Sequence, residues 1–159
     1  MKWRHWLEEW GMTSLKISLP YLEMEWEPKD EDRSAAWEMY IELLTRIATQ
    51  DLADEVGDEE SALQSMHSLF STTREVLRRN GRHCVEFAKL AIVILNQQVR
   101  PFTARWHKLS IQGAFENDEQ CQEFRQELLE LQKTLRVYTQ MLSNMAGVED
   151  LTHLQAEEG

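Results

Sequence analysis

The sequence contains little proline and glycine, with 3 Pro and 6 Gly among its 159 residues. Loop-rich and all-β folds need these residues in their turns, so their scarcity argues against both classes. A chain of this length suits one domain that buries its own core. Apolar residues make up 42% and charged residues 28%, as in an ordinary globular protein. The composition therefore favours long helices.

A long apolar run is also missing. The longest apolar stretch, 90–95, is much shorter than the roughly 18 residues that cross a bilayer. Charged residues interrupt the first nine positions, unlike the apolar region of a secretory signal. We therefore expect a cytoplasmic protein with no membrane segment.

Cysteine is scarce too, and its two positions, Cys84 and Cys121, lie in separate helical patterns. We expect reduced, buried thiols, because cytosolic proteins seldom keep structural disulfides. The sequence has no zinc-type cysteine spacing, no glycine-rich phosphate loop and no GxSxG motif. A di-iron bundle needs two Glu-x-x-His motifs, whereas only the reverse order, His83 to Glu86, occurs. We expect neither a metal nor a cofactor.

The clearest helical pattern lies near the C-terminus. Asn117 is a suitable N-cap, and Gly147 is placed to end the helix. Between them the apolar residues alternate in steps of three and four, as in a packed amphipathic helix. They are Cys121, Phe124, Leu128, Leu131, Leu135, Tyr138, Leu142 and Met145.

Three further helices are predicted upstream, over 33–54, 58–80 and 83–99. The third helix, 83–99, is apolar on nearly all its sides, so we expect it at the centre of the bundle. Pro101 is expected to end or kink this helix. Four long helices with short links predict an all-α, four-helix up-down bundle. The expected face of the first helix is Trp37, Ile41, Leu44, Ala48 and Leu52, flanked by Tyr40, Leu43 and Ile47, and that of the second is Ala62, Met66, Leu69 or Phe70, Thr73 and Leu77.

The N-terminal residues 1–32 differ from this bundle, which we assign to 33–147. Alternating apolar and polar residues over 14–27, broken by Pro20, suggest a short β-hairpin or an extended strap laid across the bundle. The tail 148–159 is expected to be frayed. Together these parts form one domain.

Charge is unevenly distributed along the chain. The stretch 74–110 contains eight basic residues but only two acidic ones, Glu75 and Glu86. Its local charge is therefore +6, in a chain whose net charge is −11. Such residues either form ion pairs with acidic neighbouring helices or bind an anion or acidic partner. The eight are Arg74, Arg78, Arg79, Arg82, Lys89, Arg100, Arg105 and Lys108.

Two clusters stand out, separated by about 25 Å of predicted helix. The first is Arg78, Arg79 and Arg82, next to a helix N-terminus that favours anions. The second cluster could stack on a base or hold a phosphate or carboxylate, or its aromatic residues could simply anchor a kinked helix end. We favour this second cluster, which comprises Arg100, Arg105, Trp106 and His107.

Two pairs, Arg78 with His83 and Arg100 with His107, have an Arg-x4-6-His spacing that resembles the metal-independent ribonucleases of the HEPN type, which are all-α bundles. The resemblance implies that each Arg and His would act on the ribose 2′-hydroxyl and the cleaved phosphate. Arg79 and Pro101 occupy the position after each arginine, where that family usually has a polar residue.

Five of the six tryptophans precede residue 38. Trp3, Trp6 and Trp10 are interpreted as a cover for the core, as an anchor for a partner or, less favoured, as a membrane-surface contact. With no catalytic set, the leading hypothesis is a non-enzymatic regulatory subunit that docks a larger protein through the N-terminal Trp segment and the basic clusters. The alternative is a ribonuclease or a protein that binds RNA or a nucleotide. No membrane partner is expected.

Overall fold

The computed structural model describes residues 1–46 and 58–155. Over these ranges the protein is mostly helical and contains no strand, so the all-α prediction is confirmed. The helices are α1 Trp3–Glu9, α2 Leu19–Leu22, α3 Asp30–Leu44, α4 Glu59–Asn80, α5 Val85–Ile94, α6 Arg100–Ile111 and α7 Asp118–Ala146, with a π-turn at Leu95–Val99 and 3-10 turns at Ala114–Glu116 and Thr152–Gln155.

The longest helix, α7, has the predicted limits and face. The side chain of Asn117 accepts a hydrogen bond from the backbone N–H of Gln120 at 3.0 Å, which satisfies one of the free donors of the first turn. At the other end Gly147 takes a left-handed conformation with φ of 71°, which glycine adopts without strain. The predicted apolar residues are buried from Phe124 to Met145, whereas Cys121 is half-buried.

The predicted face of α3 is wrong at Trp37 and Ile41, whereas the predicted flanking residues Tyr40 and Leu43 are buried. Trp37 is 44% exposed and Ile41 is 38% exposed, while Met39 and Tyr40 are fully buried. The actual stripe is rotated towards smaller residues, so that Ala35, Ala36, Met39, Tyr40 and Leu43 face the core. The helix α3 packs along α7 and also contacts α4 and α5. The predicted positions Ile47, Ala48 and Leu52 lie outside the described residues.

In α4 the predicted stripe is confirmed. Ala62, Met66, Leu69, Phe70 and Thr73 are all buried. Val76 joins them, and Leu77 is half-buried. The helix α4 packs against α3 and α6, which makes it a structural part of the core.

Pro101 was expected to end or kink the third predicted helix, and the helical structure continues through it: α5 is followed by the π-turn at Leu95–Val99 and then by α6. Proline has no N–H, and inside an α-helix its ring collides with the carbonyl four residues earlier. The chain avoids the collision with a π-turn, in which the N–H of Arg100 reaches back to the carbonyl of Leu95. A π-turn is wider than an α-turn, and Pro101 then lies in the first turn of α6, where its missing donor is harmless.

The N-terminal segment contains two short helices, and the hairpin is not confirmed. Pro20 lies inside α2, and the only β-type pairing in the described residues is one isolated antiparallel bridge between Lys2 and Glu25. In this bridge the N–H of Trp3 donates to the carbonyl of Met24 at 3.0 Å. The segment therefore folds back on itself before α3 begins.

Side chains fasten both terminal segments to the helices. Gln97 of the π-turn accepts from the N–H of Lys16 at 2.7 Å and donates to its carbonyl at 2.6 Å. At the other terminus the N–H of Leu151 donates to the hydroxyl of Tyr40 at 2.5 Å. The 3-10 turn that follows thus lies against α3.

Within the described ranges, no helix combines the length and apolar character that crossing a membrane requires. The two cysteines are free thiols, Cys84 buried and Cys121 half-buried. Burial raises the pKa of both, and the nearby charge of Asp32 raises that of Cys84 further.

Candidate functional site: a groove between α4 and α6

The N-terminal tryptophans are largely inside the protein. Trp3 and Trp6 are buried with their rings edge to face at 5.4 Å, and Trp10 is only half-buried. The indole N–H of Trp3 donates to Glu86 at 2.7 Å, and that of Trp6 donates to Asn144 at 2.9 Å. These contacts join α1 to α5 and α7, so the first two tryptophans are part of the core.

The first basic cluster separates into paired and unpaired residues. Arg79 lies 3.2 Å from Glu38 of α3 and 3.9 Å from Glu75. Arg78 and Arg82 are exposed, and among the described residues no carboxylate pairs with either. They line a shallow groove at the start of α5 that does not include His83. The structure therefore does not bring Arg78 and His83 together in one groove.

The second cluster separates because residues of an α-helix turn by about 100° each. Arg105 points to α7, where its guanidinium lies 2.5 Å from both Glu123 and Glu127. The hydrogen bond to Glu123 raises the pKa of Arg105. Trp106 points to the core, is fully buried, and packs edge to face on Phe124 at 5.2 Å.

Arg100 and His107 are seven residues apart, which is close to two full helical turns, and so they share one face. That face looks onto α4, where His67 and Arg74 have the same seven-residue spacing. All four side chains line one groove of about 280 Å³, together with Thr103. The two helices run antiparallel here, with Arg100 facing the later part of α4 and His107 its earlier part.

The aromatic ring of Phe70 forms the floor between these groups. The guanidinium carbon of Arg100 lies 4.7 Å from the centre of this ring, and the imidazole of His67 lies 6.0 Å from it. A cation over a ring face is held by the ring quadrupole, so Arg100 is oriented rather than freely mobile. Its Nε also donates to Asn96 at 3.2 Å.

The groove extends along α4 into a space of about 430 Å³ bounded by hydroxyl, amide and imidazole groups. One carboxylate, Glu60, lines this far end. At the rim, Arg46 donates to Ser68 at 2.6 Å and is neutralised by Glu42 at 2.7 Å. No carboxylate of the described ranges pairs with Arg74 or Arg100. The Arg74 end is therefore the more electropositive one.

Of the predicted site residues, the structure joins only Arg100 and His107 in this groove. It adds His67 and Arg74, which sequence reasoning did not select. Their shared seven-residue spacing was the available signal, but only the packing of α4 on α6 shows that the two pairs face each other. Among the described residues no group of three or more His, Cys, Asp or Glu is placed to hold a metal ion.

The chain matches no protein-family model. Comparison with curated proteins found no match. Comparison with solved structures found none either. The groove must therefore be interpreted from its own chemistry.

Proposed function

We propose that this protein is a non-enzymatic interaction subunit that docks a larger cytoplasmic protein, and that the groove between α4 and α6 binds an acidic segment of that partner. One observation carries the proposal: Arg74, Arg100, His67 and His107 converge on one groove, and none has a carboxylate partner among the described residues. The proposed scaffold is a four-helix up-down bundle of α3, α4, α5 with α6, and α7, and the packing of α3 on α7 and of α4 on α6 supports it.

The charge of the whole chain makes this groove selective. At a net charge of −11 the protein repels polyanions at long range. Local fields still act within the Debye length of about 10 Å, so a short acidic segment can be held where two guanidiniums lie together. An extended anion would also meet the carboxylates elsewhere on the surface.

The other predicted docking residues take different places in this proposal. Trp3, Trp6 and Trp106 support the scaffold from inside, and Arg105 is held by α7. Arg78, Arg79 and Arg82 form a separate contact area at the other end of α5, and Trp10 is the most accessible of the three N-terminal indoles.

Affinity capture from the native host tests the proposal. Wild type and the double variant Arg74→Glu/Arg100→Glu would be compared by quantitative mass spectrometry at two salt concentrations. We expect a partner with an acidic segment whose recovery falls at least tenfold with the double variant. The matched control is the double variant Lys108→Glu/Lys133→Glu, which makes the same charge change at side chains that do not line the groove.

The helical content and thermal midpoint of each variant would be measured first. Because all four substituted side chains are exposed, both double variants should stay folded. Recovery of the same partners by wild type and by the Arg74→Glu/Arg100→Glu variant would refute the proposal. Equal loss with both double variants would show that net charge alone governs the association.

Metal-independent RNA binding or cleavage is the second candidate function. It is favoured by the placement of Arg100 and His107 in one groove with a second imidazole, since two imidazoles can supply a general base and a general acid. The protein would be incubated with single-stranded RNA in the presence of a chelator. Cleavage by wild type that is lost in His107→Ala and in His67→Ala would establish this function, whereas intact RNA at high protein concentration would exclude cleavage.

A further inference from the structure

A second groove, of about 500 Å³, lies between the N-terminal segment and α5. It is on a different surface from the α4/α6 groove and shares no residue with it. Four large apolar side chains along it are each between 45% and 47% exposed. These are Tyr21, Met24, Val85 and Ile92.

On α5 the groove is lined by apolar side chains on the outer side of the helix. Val85, Ala88 and Ile92 are spaced i, i+3 and i+7, so they form one stripe that no element of the described protein covers. Seven residues of helix are about 10 Å long. A partner helix of two to three turns would cover the stripe.

The one cation inside the groove is already satisfied. Lys89 pairs with Glu86 at 3.0 Å, and its ammonium lies 5.1 Å from the centre of the Tyr21 ring. Glu86 in turn accepts the indole N–H of Trp3. The middle of the groove therefore offers apolar contact and little net charge.

At one end the groove meets the unpaired part of the first basic cluster. Val85 and Ala88 line both this groove and the shallow one that holds Arg78 and Arg82. Of the acids of α3 that lie near Cys84 in this shallow groove, Glu38 pairs with Arg79, and Asp32 accepts the N–H groups of Lys29 and Phe87. The apolar groove thus ends at Arg78 and Arg82, two positive charges that no carboxylate of residues 1–46 and 58–155 pairs with.

We propose that this groove binds an amphipathic helix of a partner protein, with its apolar face on Val85 and Ile92 and acidic residues near Arg78 and Arg82. Helices commonly dock into grooves through apolar residues at i, i+3, i+4 and i+7. The free arginines determine which end of the helix carries the acids. This contact is independent of the α4/α6 groove, because the two grooves share no residue. Either proposal can therefore be wrong while the other holds.

A designed peptide tests the proposal on the full-length protein. The probe is a fluorescein-labelled 16-residue helix with leucines on one face and three glutamates grouped at one end. The first comparison peptide has lysines in place of the glutamates, and the second has the leucines scrambled off one face. Fluorescence anisotropy should show that the acidic probe binds roughly tenfold tighter than either comparison peptide.

Substitutions then locate the binding surface. Ile92→Glu should weaken the acidic probe roughly tenfold or more, because it places a charge in the apolar stripe. Arg78→Glu/Arg82→Glu should weaken it by about tenfold and reduce its salt dependence. Ile111→Glu, an equivalent change at a more exposed residue outside the groove, should change affinity less than about twofold.

Equal binding of the three peptides, or equal binding to wild type and Ile92→Glu, would overturn the proposal. So would a dimer of wild type in light scattering that Ile92→Glu converts to monomer, since a second copy would then occupy the groove. Variants of the α4/α6 groove should bind the probe as wild type does. A loss in those variants would assign the peptide to the other groove and also overturn this inference.

Discussion

The carboxylate of Asp32 accepts the backbone N–H of Phe87 at 2.9 Å, across 55 residues of sequence. Asp32 is buried, and its other oxygen accepts the N–H of Lys29 at 2.8 Å. One side chain therefore satisfies free donors at the N-termini of both α3 and α5. A negative charge is also stabilised at each N-terminus by the helix dipole.

We expect Asp32→Ala to destabilise the fold by about 2–4 kcal/mol, because it removes two caps and leaves a buried N–H without an acceptor. Asp32→Asn keeps one accepting oxygen and should cost roughly half as much. Urea unfolding followed by circular dichroism measures both. Similar midpoints for Asp32→Ala and wild type would contradict the double-cap assignment.

The clamp between Gln97 and Lys16 gives a local prediction. Gln97→Ala removes both hydrogen bonds and should reduce stability by about 1–2 kcal/mol. Hydrogen exchange should increase at the Lys16 amide more than in α7. Gln98→Ala is the matched control, since Gln98 is also half-buried but makes no hydrogen bond to the described N-terminal segment. Equal effects of the two changes would show that the clamp does not hold this segment.

Two tyrosines provide a paired test of buried hydroxyl groups. The hydroxyl of Tyr138 is buried and has no hydrogen-bond partner among the residues that the structure describes, and burial raises the pKa of this side chain. Removing it in Tyr138→Phe should leave stability unchanged or raise it by up to about 1 kcal/mol. Tyr40 accepts the N–H of Leu151, so Tyr40→Phe should lower stability by about 1 kcal/mol. Thermal unfolding distinguishes a gain from a loss of stability. A marked loss of stability in Tyr138→Phe would show that the hydroxyl of Tyr138 has a hydrogen-bond partner.

Acid should loosen the N-terminal segment before the core. Hydrogen bonds from Arg4 and Lys2 lower the pKa of Glu23 below its ordinary value of 4.5. A carboxyl group whose pKa is lowered by folding stabilises the protein at pH values above its ordinary pKa. This stabilisation is lost as the pH falls through the lowered pKa. Amide exchange at Trp3 should therefore rise in this acid range while α7 stays protected.

Glu23→Gln should remove most of this pH dependence, because the glutamine cannot titrate. High salt should weaken it too, since these side chains are exposed. An unchanged acid profile in Glu23→Gln would assign the transition to other groups, among them Glu25 and its contact with the N-terminal ammonium.

Prediction from sequence succeeded where a local pattern was sufficient. The limits of α7 follow from Asn117, Gly147 and the apolar spacing between them, and the buried face of α4 follows in the same way. The predicted face of α3 is partly wrong because it includes the large side chains of the helix and leaves out Ala35 and Ala36, which are buried. Trp37 and Ile41 are exposed.

The candidate site was only half predictable. Arg100 and His107 share a face by helical geometry, which the sequence contains. Whether Arg105 would join them depended on the carboxylates of α7, and these lie 18 and 22 residues away along the chain. The π-turn also depends on packing, since Pro101 permits either an end or a continuation of the helix.

The amino-acid sequence by itself determined the helical class, the extent of the longest helix and the concentration of positive charge between 74 and 110, because composition and periodicity act over a few residues. The tertiary structure alone decided which of those charges are free. Arg79 and Arg105 are paired with carboxylates on other helices, whereas Arg74 and Arg100 line one groove and have no carboxylate partner in the described part of the chain. Helix packing decides which arginines are paired, because it sets the distance between charges that are far apart in sequence.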